Sequence, residues 1–273
     1  MLELIILILG VYILAIMCRS SHKGVLDLKG WSYAHRGLHG NGIPENSMAA
    51  FKAALDNGFG IELDIHLLKD GNLAVMHDSL LNRTTGRPGH IEDLTTEDLK
   101  HYHLQGTEQT IPEFMDVLTL YNGKAPLIIE LKPERNNHAA LAEAACRMME
   151  GYKGVYCMES FDPRCVAWLK KNRPDIVRGF LTENFTKTRN DLPDYLRFLL
   201  THCLTNFTCV PDFVAYKFAD RKDSISFSLC RKLWKAQGVT WTLKTREEYD
   251  TAVNEGLIPI FEGFLPDVKQ LNN

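Results

Sequence analysis

The chain is expected to form an α/β fold, a distorted (β/α)8 barrel preceded by an apolar N-terminal helix. Three observations lead there. Strand-like apolar runs alternate with helix-like amphipathic ones. About 240 residues follow the first thirty, which fits one barrel of ~250 residues. No internal repeat, low-complexity tract or second hydrophobic core interrupts that stretch. Hydrophobic residues make up 45% and charged residues 24%, the balance of a globular chain long enough to bury a large core. Net charge is −3 with no dense Lys/Arg stripe, which argues against a nucleic-acid partner.

The first element is the apolar run at the start. Leu4 to Cys18 carries no charge, and Glu3 alone interrupts what precedes it. As one helix, Leu2 to Cys18 spans about 25 Å, slightly under a ~30 Å hydrocarbon core. A cleaved signal peptide expects basic residues before the run and a small-x-small site after it; neither is present. A lipoprotein signal ending at Cys18 expects a small residue where Met17 stands. A helix apolar on every side is hard to bury on a barrel. Residues 1–19 are therefore expected to be a single-pass membrane anchor, residues 20–30 a linker and residues 31–273 the barrel. Arg19, Lys23 and Lys29 follow the run and no Lys or Arg precedes it, which places the barrel in the cytoplasm. The 7 cysteines include no C-x-x-C pair; they suit free thiols in a reducing compartment and fit no usual zinc site.

Nine strand candidates compete for eight places: Ser32–Ala34, Ile61–Ile65, Leu73–Met76, Leu127–Leu131, Val155–Met158, Val177–Leu181, Phe213–Tyr216, Val239–Leu243 and Ile258–Phe261. One must lie outside the barrel. Only His66 to Asn72 separates the second candidate from the third, too few residues for a crossover helix, and Asp70-Gly71 makes a tight turn there. The barrel should be irregular at that point. Between strands, Asn46 or Ser47 can cap a helix that carries Phe51, Ala54 and Leu55 on one face and stops at Gly58. Asp162 can cap a helix with Pro163 at its first position. His138 to Glu150 reads as a further helix. Asn184 to Thr208 is the least regular stretch, a candidate loop or helix over the site.

Four motifs end apolar runs: His35 in YAHRG, Glu62 and Asp64 in ELDIHLLKDG, His77 in AVMHD, and Glu130 with Lys132 in IIELK. As parallel strands, these runs would bring their ends together at one rim. Glu62 and Asp64 are two apart on a strand, so both point the same way. Adjacent inward carboxylates need neutralising. Two readings do this: a metal ion, with Glu130 as third ligand, or ion pairing with Arg36 and Lys132. An all-carboxylate set favours a hard cation, Ca²⁺ or Mg²⁺. Histidine can take or give a proton near neutral pH, which two strand-end histidines could use. The Arg36 fork can hold two phosphate oxygens, and Lys132 adds charge on the same side as Glu130. Asp78 could orient an imidazole or form a turn. Glu45, in PENS, could support the site or a helix start. His39, His66, His90, His101, His103 and His138 have no partner motif.

The ordered series AHRG, PENS, ELDIHLLKDG, AVMHD, NRTTG, IPEFMDVL, IIELK, ESFDP and TWTLK, from Trp31 to Asp267, resembles the glycerophosphodiester phosphodiesterase family. That resemblance implies a distorted TIM barrel releasing glycerol 3-phosphate and an alcohol with a divalent cation. It assigns His35 and His77 as the acid–base pair and suggests that Trp241 floors the substrate pocket. Lys244, after W-T-x, and the ending IFEGFLPD depart from the family pattern. Two substrate classes follow, water-soluble glycerophosphodiesters and, for a related phospholipase D-like activity, lysophospholipids. A non-catalytic membrane-bound module would lack one of these residues, and all are present.

Overall fold

The computed structural model describes residues 1–19 and 22–267. Its strands are β1 (Tyr33–His35), β2 (Gly60–Leu67), β3 (Leu73–Val75), β4 (Leu127–Leu131), β5 (Tyr156–Ser160), β6 (Arg178–Thr182), β7 (Phe213–Lys217), β8 (Gln237–Leu243) and β9 (Ile258–Phe261). All nine match the sequence candidates to within a few residues, because apolar, β-branched runs bounded by turn residues are buried on both faces in a parallel barrel. Eight run parallel, and β1 pairs with both β2 and β9, so the sheet closes. The strand outside the barrel is β3, antiparallel to β2. The short His66–Asn72 connection is therefore a hairpin, the geometry its length allows.

β2 is the longest strand and leaves the barrel at its upper end. Gly60 to Glu62 pair with β1, while Ile65 to Leu67, on the same edge, pair with β3. Residues 68–113 then form an insert with its own core, in which Leu68, Met76, Leu81, Ile91, Leu99 and Ile111 are buried together. This corrects the expectation of a single hydrophobic core. The insert's apolar residues are scattered singly among four-residue helices and turns, so no periodic run announces them.

The barrel interior is filled by Tyr33, Ile128, Cys157, Phe213, Val239 and Ile260. Surrounding helices start as their capping residues dictate. Ser47 accepts a hydrogen bond from the Ala50 N–H at 3.1 Å, and Asp162 accepts one from Arg164 at 2.8 Å. The helix His138–Met148 lies where expected. All seven cysteines are buried and free.

The N-terminal segment departs from expectation. Its helix, α1 (Leu2–Ala15), has 14 residues and ends before Cys18. At ~1.5 Å per residue it is about 21 Å long. Among the described residues no helix is long and apolar enough to cross a membrane. The end of the expected span is instead drawn onto the barrel: Ile16 and Cys18 are buried in its outer core. The Tyr12 hydroxyl lies 2.9 Å from Ser226 Oγ, Trp234 Nε1 donates to Ile13 O at 3.2 Å, and Arg19 Nη2 donates to Asp212 Oδ2 at 2.6 Å. The first ten residues remain exposed. Nor are residues 22–30 a free linker. Gly24–Asp27 is a helical turn, and Leu28 is buried beside Tyr33, whose hydroxyl donates to the Leu28 carbonyl at 3.0 Å. Ser20 and Ser21 of the expected linker fall outside the described residues.

Candidate active site

Strand register assembles the acids. Asp64 on β2 pairs with Glu130 on β4, and Glu130 with Glu159 on β5. Glu62, Asp64 and Glu130 each offer an oxygen, all three within 4.8 Å of one another. They are 3%, 1% and 5% exposed, so water screens their repulsion little. Lys132 Nζ stands 2.8 Å from Glu130 and 3.1 Å from Asp64. Arg36 Nε is 3.5 Å from Asp64, and the Arg36 backbone N–H donates to Glu62 at 3.2 Å. Asn46 Nδ2 donates to Asp64 at 2.8 Å. Asn46 thus serves the site, while Ser47 does the capping. Glu159, equally buried, has Oε2 without a hydrogen-bond partner among the described residues.

Two cations face four carboxylates, and the protonation pattern reflects that deficit. Burial, then Asp64 and Glu130, push the Glu62 carboxyl well above the usual carboxylate range. Burial raises Glu130 to about 7 against the pull of Lys132. Burial and the negative charge of Glu130 raise Glu159 well above that range too. Asp64 is the exception: burial opposes its ionisation, but Lys132, His77 and Arg36 hold it well below the ordinary value. Without a further positive charge, some of these acids must carry protons. Three converging buried oxygens, a fourth without a partner and an all-oxygen donor set fit a hard divalent cation.

The two histidines come from different parts of the molecule. His35 ends β1, with Nδ1 2.7 Å from Glu262 Oε2 and Nε2 3.9 Å from Glu62. His77 follows β3 in the insert, with Nδ1 2.6 Å from Asp78 Oδ1. Each ring therefore has one nitrogen held by a carboxylate, which leaves Nε2 for other partners. Burial lowers the pKa of both rings, against the opposing hydrogen bond that His35 donates to Glu262 and against Asp64 and Asp78 at His77. The hydrogen bond from His35 takes Glu262 down to about 2.

A chain of charged contacts ties His77 to the barrel. Arg83 Nε donates to Asp78 Oδ2 at 2.5 Å, and its guanidinium grips Glu45 at 2.7 and 3.0 Å. Glu45 in turn accepts from Arg36 at 2.9 Å. Glu45 therefore bridges two guanidiniums and does not join the carboxylate cluster. On the other side, His66 Nε2 lies 3.2 Å from the His77 carbonyl, and its Nδ1 lies 2.6 Å from Glu92.

A cavity of about 1070 Å³ opens beside these groups. Its lining includes Glu130, Lys132 and His77 as well as Leu192, Leu196 and Leu200. The last two belong to the helix Asp194–Thr201, so Asn184 to Thr208 does supply a helix over the site. Trp241, on β8, is not among the residues lining this cavity; its Nε1 donates to Ala215 O at 3.3 Å and its ring stands 5.5 Å from Phe161, edge to face.

A profile of the glycerophosphoryl diester phosphodiesterase family matches residues 35–261, most of the chain. The chain belongs to this family. The family match begins at His35 and ends at the last strand. Among its relatives, a glycerophosphodiester phosphodiesterase from Bacillus altitudinis is 37% identical over 161 residues, covering 55% of this chain and 65% of that protein. The match thus spans a little under two thirds of that relative's length. Glycerophosphodiester phosphodiesterase 1 from Homo sapiens is 26% identical, with 79% of this chain and 72% of that protein covered. A solved phosphodiesterase from Oleispira antarctica, in complex with the product sn-glycerol-3-phosphate, has a TM-score of 0.70 at 20% identity, covering 87% of this chain and 94% of that one. A glycerophosphodiester phosphodiesterase from Thermotoga maritima gives 0.65 at 22% identity, covering 85% and 93%. At those identities the structural likeness establishes the fold, a TIM barrel.

Within this family frame, sequence reasoning missed Asn46 as a partner of Asp64, and Glu159, Glu262 and Arg83 altogether. Glu159 and Glu262 had a findable signal: each sits at the end of a strand run, as Glu130 does. Arg83, in NRTTG, had none, because its role depends on where the insert folds.

Proposed function

We propose that this protein hydrolyses glycerophosphodiesters to sn-glycerol 3-phosphate and an alcohol, with a divalent cation on Glu62, Asp64 and Glu130. The observation that supports it most is three buried carboxylates converging between Arg36 and Lys132, with His35 and His77 on either side. The family membership and the product named for the Oleispira protein agree with it. A bound Ca²⁺ or Mg²⁺ supplies Lewis-acid stabilisation of the phosphoryl oxygens. Arg36 and Lys132 hold the non-bridging oxygens and offset the charge that builds on phosphorus. One histidine takes the proton of the attacking hydroxyl at Nε2 as the new P–O bond forms. The other gives a proton to the alcohol oxygen as its P–O bond breaks. The attacking group is water, or the glycerol hydroxyl next to the phosphate, closing a cyclic phosphate that water then opens.

A second reading, lysophospholipase D-type cleavage of lysophospholipids, is favoured by the leucine wall of the cavity, which suits an acyl chain. We also propose that α1 attaches the barrel to a membrane on the cytoplasmic side. Support comes from its exposed apolar residues, among them Leu4, Ile5, Ile6, Leu7, Ile8 and Leu9 at 54–62% exposure, and from the following Arg19, Lys23 and Lys29.

The test is turnover of glycerophosphocholine and of an acyl lysophosphatidylcholine by the full chain, beside His35→Ala and Glu62→Ala. Release of glycerol 3-phosphate that both variants lose supports the main reading. Faster cleavage of the lysolipid moves the substrate to the second. Undiminished turnover in both variants would sink the assigned site.

A further inference from the structure

His35 has a second set of neighbours that the proposed hydrolysis does not use as ligands. Glu262, after β9, lies at the Nδ1 edge of its ring, away from the Nε2 that faces Glu62, and His39 is in the Gly37–Gly40 loop after β1. One ligand atom each from His35, His39 and Glu262 lies within 4.8 Å of the other two. His39 Nε2 is buried and has no hydrogen-bond partner among the described residues. An imidazole nitrogen buried beside a carboxylate with nothing to bond is costly unless something occupies the gap.

We propose that His35, His39 and Glu262 form a second cation site, selective for a borderline transition ion such as Zn²⁺, and that filling it switches the enzyme off. Two imidazoles and one carboxylate are a zinc donor set with a fourth position open, whereas Ca²⁺ and Mg²⁺ prefer oxygen. Zinc bonds of ~2.0–2.1 Å put tetrahedral donors about 3.3 Å apart, so binding requires the His35–Glu262 pair, now 2.7 Å apart, to open slightly and the half-buried His39 ring to turn inward. The opposing positive charges are the Arg36 guanidinium, which acts on both imidazoles, and the exposed Lys244 ammonium, 3.8 Å from the other Glu262 oxygen and free to swing outward.

The switch follows from the chemistry of one ring. In the ion-free site Nδ1–H of His35 donates to Glu262, and Nε2 is the open acceptor that faces Glu62. A metal on Nδ1 needs that lone pair, so the ring proton moves to Nε2. Nε2 then carries a hydrogen: as base it has no lone pair for the nucleophile's proton, and as acid it would have to leave a metal-bound imidazolate, a far weaker donor than imidazolium. His35 is shared between the two sites, and the second competes with its role in the first.

The inhibitory effect rests on the phosphodiesterase reading; the binding does not, so two measurements separate them. The full chain, loaded with its Ca²⁺ or Mg²⁺, is titrated with buffered free Zn²⁺ while turnover of glycerophosphocholine is followed. The same protein is titrated with Co²⁺, whose visible absorption reports a tetrahedral nitrogen–oxygen site without any turnover. His39→Ala breaks no side-chain hydrogen bond among the described residues and lies outside the proposed machinery. Wild type should lose turnover as Zn²⁺ rises and should develop the Co²⁺ band. His39→Ala should keep its basal turnover, need about tenfold or more Zn²⁺ for the same inhibition, and lose the band. Equal Zn²⁺ sensitivity in both proteins would place the inhibiting ion on the carboxylates and overturn the proposal. No Co²⁺ band in wild type would overturn it as well, whether or not the protein turns over the substrate.

Discussion

The barrel rim and the insert supply the candidate site in different ways. On the rim, Glu62, Asp64 and Glu130 sit on strands whose hydrogen-bond register sets their spacing to within a residue. They are buried, and their neighbours are fixed by closure of the sheet. In the insert, which has a separate core, His77 follows β3, which pairs with β2, and the Met76 N–H donates to Asp64 O at 3.1 Å. Ionic contacts, Asp78 to Arg83 to Glu45 to Arg36, then brace it against the rim. The contrast teaches that charge concentration comes from the rigid part, while one of the two proton-handling groups depends on a docked part. The rim should tolerate little change. The insert should lose turnover while leaving cation binding intact.

The largest effect is expected from the rim. Glu62→Ala removes one of three oxygens and should lower turnover by about 10³-fold, several kcal/mol of charge stabilisation. It should weaken cation binding in calorimetric titration at the same time. His77→Ala should cost about 10²–10⁴-fold in kcat with cation affinity unchanged, which a parallel titration checks. Loss of both together would mean that the insert is part of the metal site and would break the comparison. Arg83→Ala removes the strut alone. It should lower kcat by up to about 10²-fold, as a small displacement of His77 does, with KM nearly constant. Arg83→Lys, which keeps the charge but not the fork, should recover only part of this.

Acidity sharpens the same contrast. Glu62 and Glu130 are raised, Glu130 to about 7, so in the ion-free protein they bind protons at and below neutral pH. A cation must displace those protons, so affinity should rise with pH and fall by about tenfold per unit per proton displaced on going down from pH 8 to pH 6. A flat affinity across that range would contradict the crowding of charge on the rim. The smallest change in turnover is expected from Leu99→Ala, in the insert core. It should destabilise by about 2–5 kcal/mol, seen as faster hydrogen exchange in residues 68–113 before the barrel strands.

Much of the rim was legible in the sequence. Glu62 and Asp64, two apart in an apolar run, had to share a face. The run containing Glu130 matches its strand residue for residue, and the seven residues His66 to Asn72 ruled out a crossover. What could not be read were pairings that closure creates. His35 and Glu262 are 227 residues apart and meet because β1 and β9 are neighbours. The Asp78–Arg83–Glu45 chain needs the insert folded against the rim, and no periodic pattern signals its core. The N-terminal run was legible as apolar. That its last turn would unwind to bury Ile16 and Cys18 against the barrel depended on a groove that only the folded helices provide.

The most direct measurement is release of sn-glycerol 3-phosphate from glycerophosphocholine by the full chain, stripped with EDTA and then resupplied with Ca²⁺ or Mg²⁺. The account predicts no turnover in the stripped protein and recovery on adding back one of these ions. Full activity after complete removal of divalent cations would contradict it, leaving the four buried carboxylates without the charge that the chemistry assigns to them.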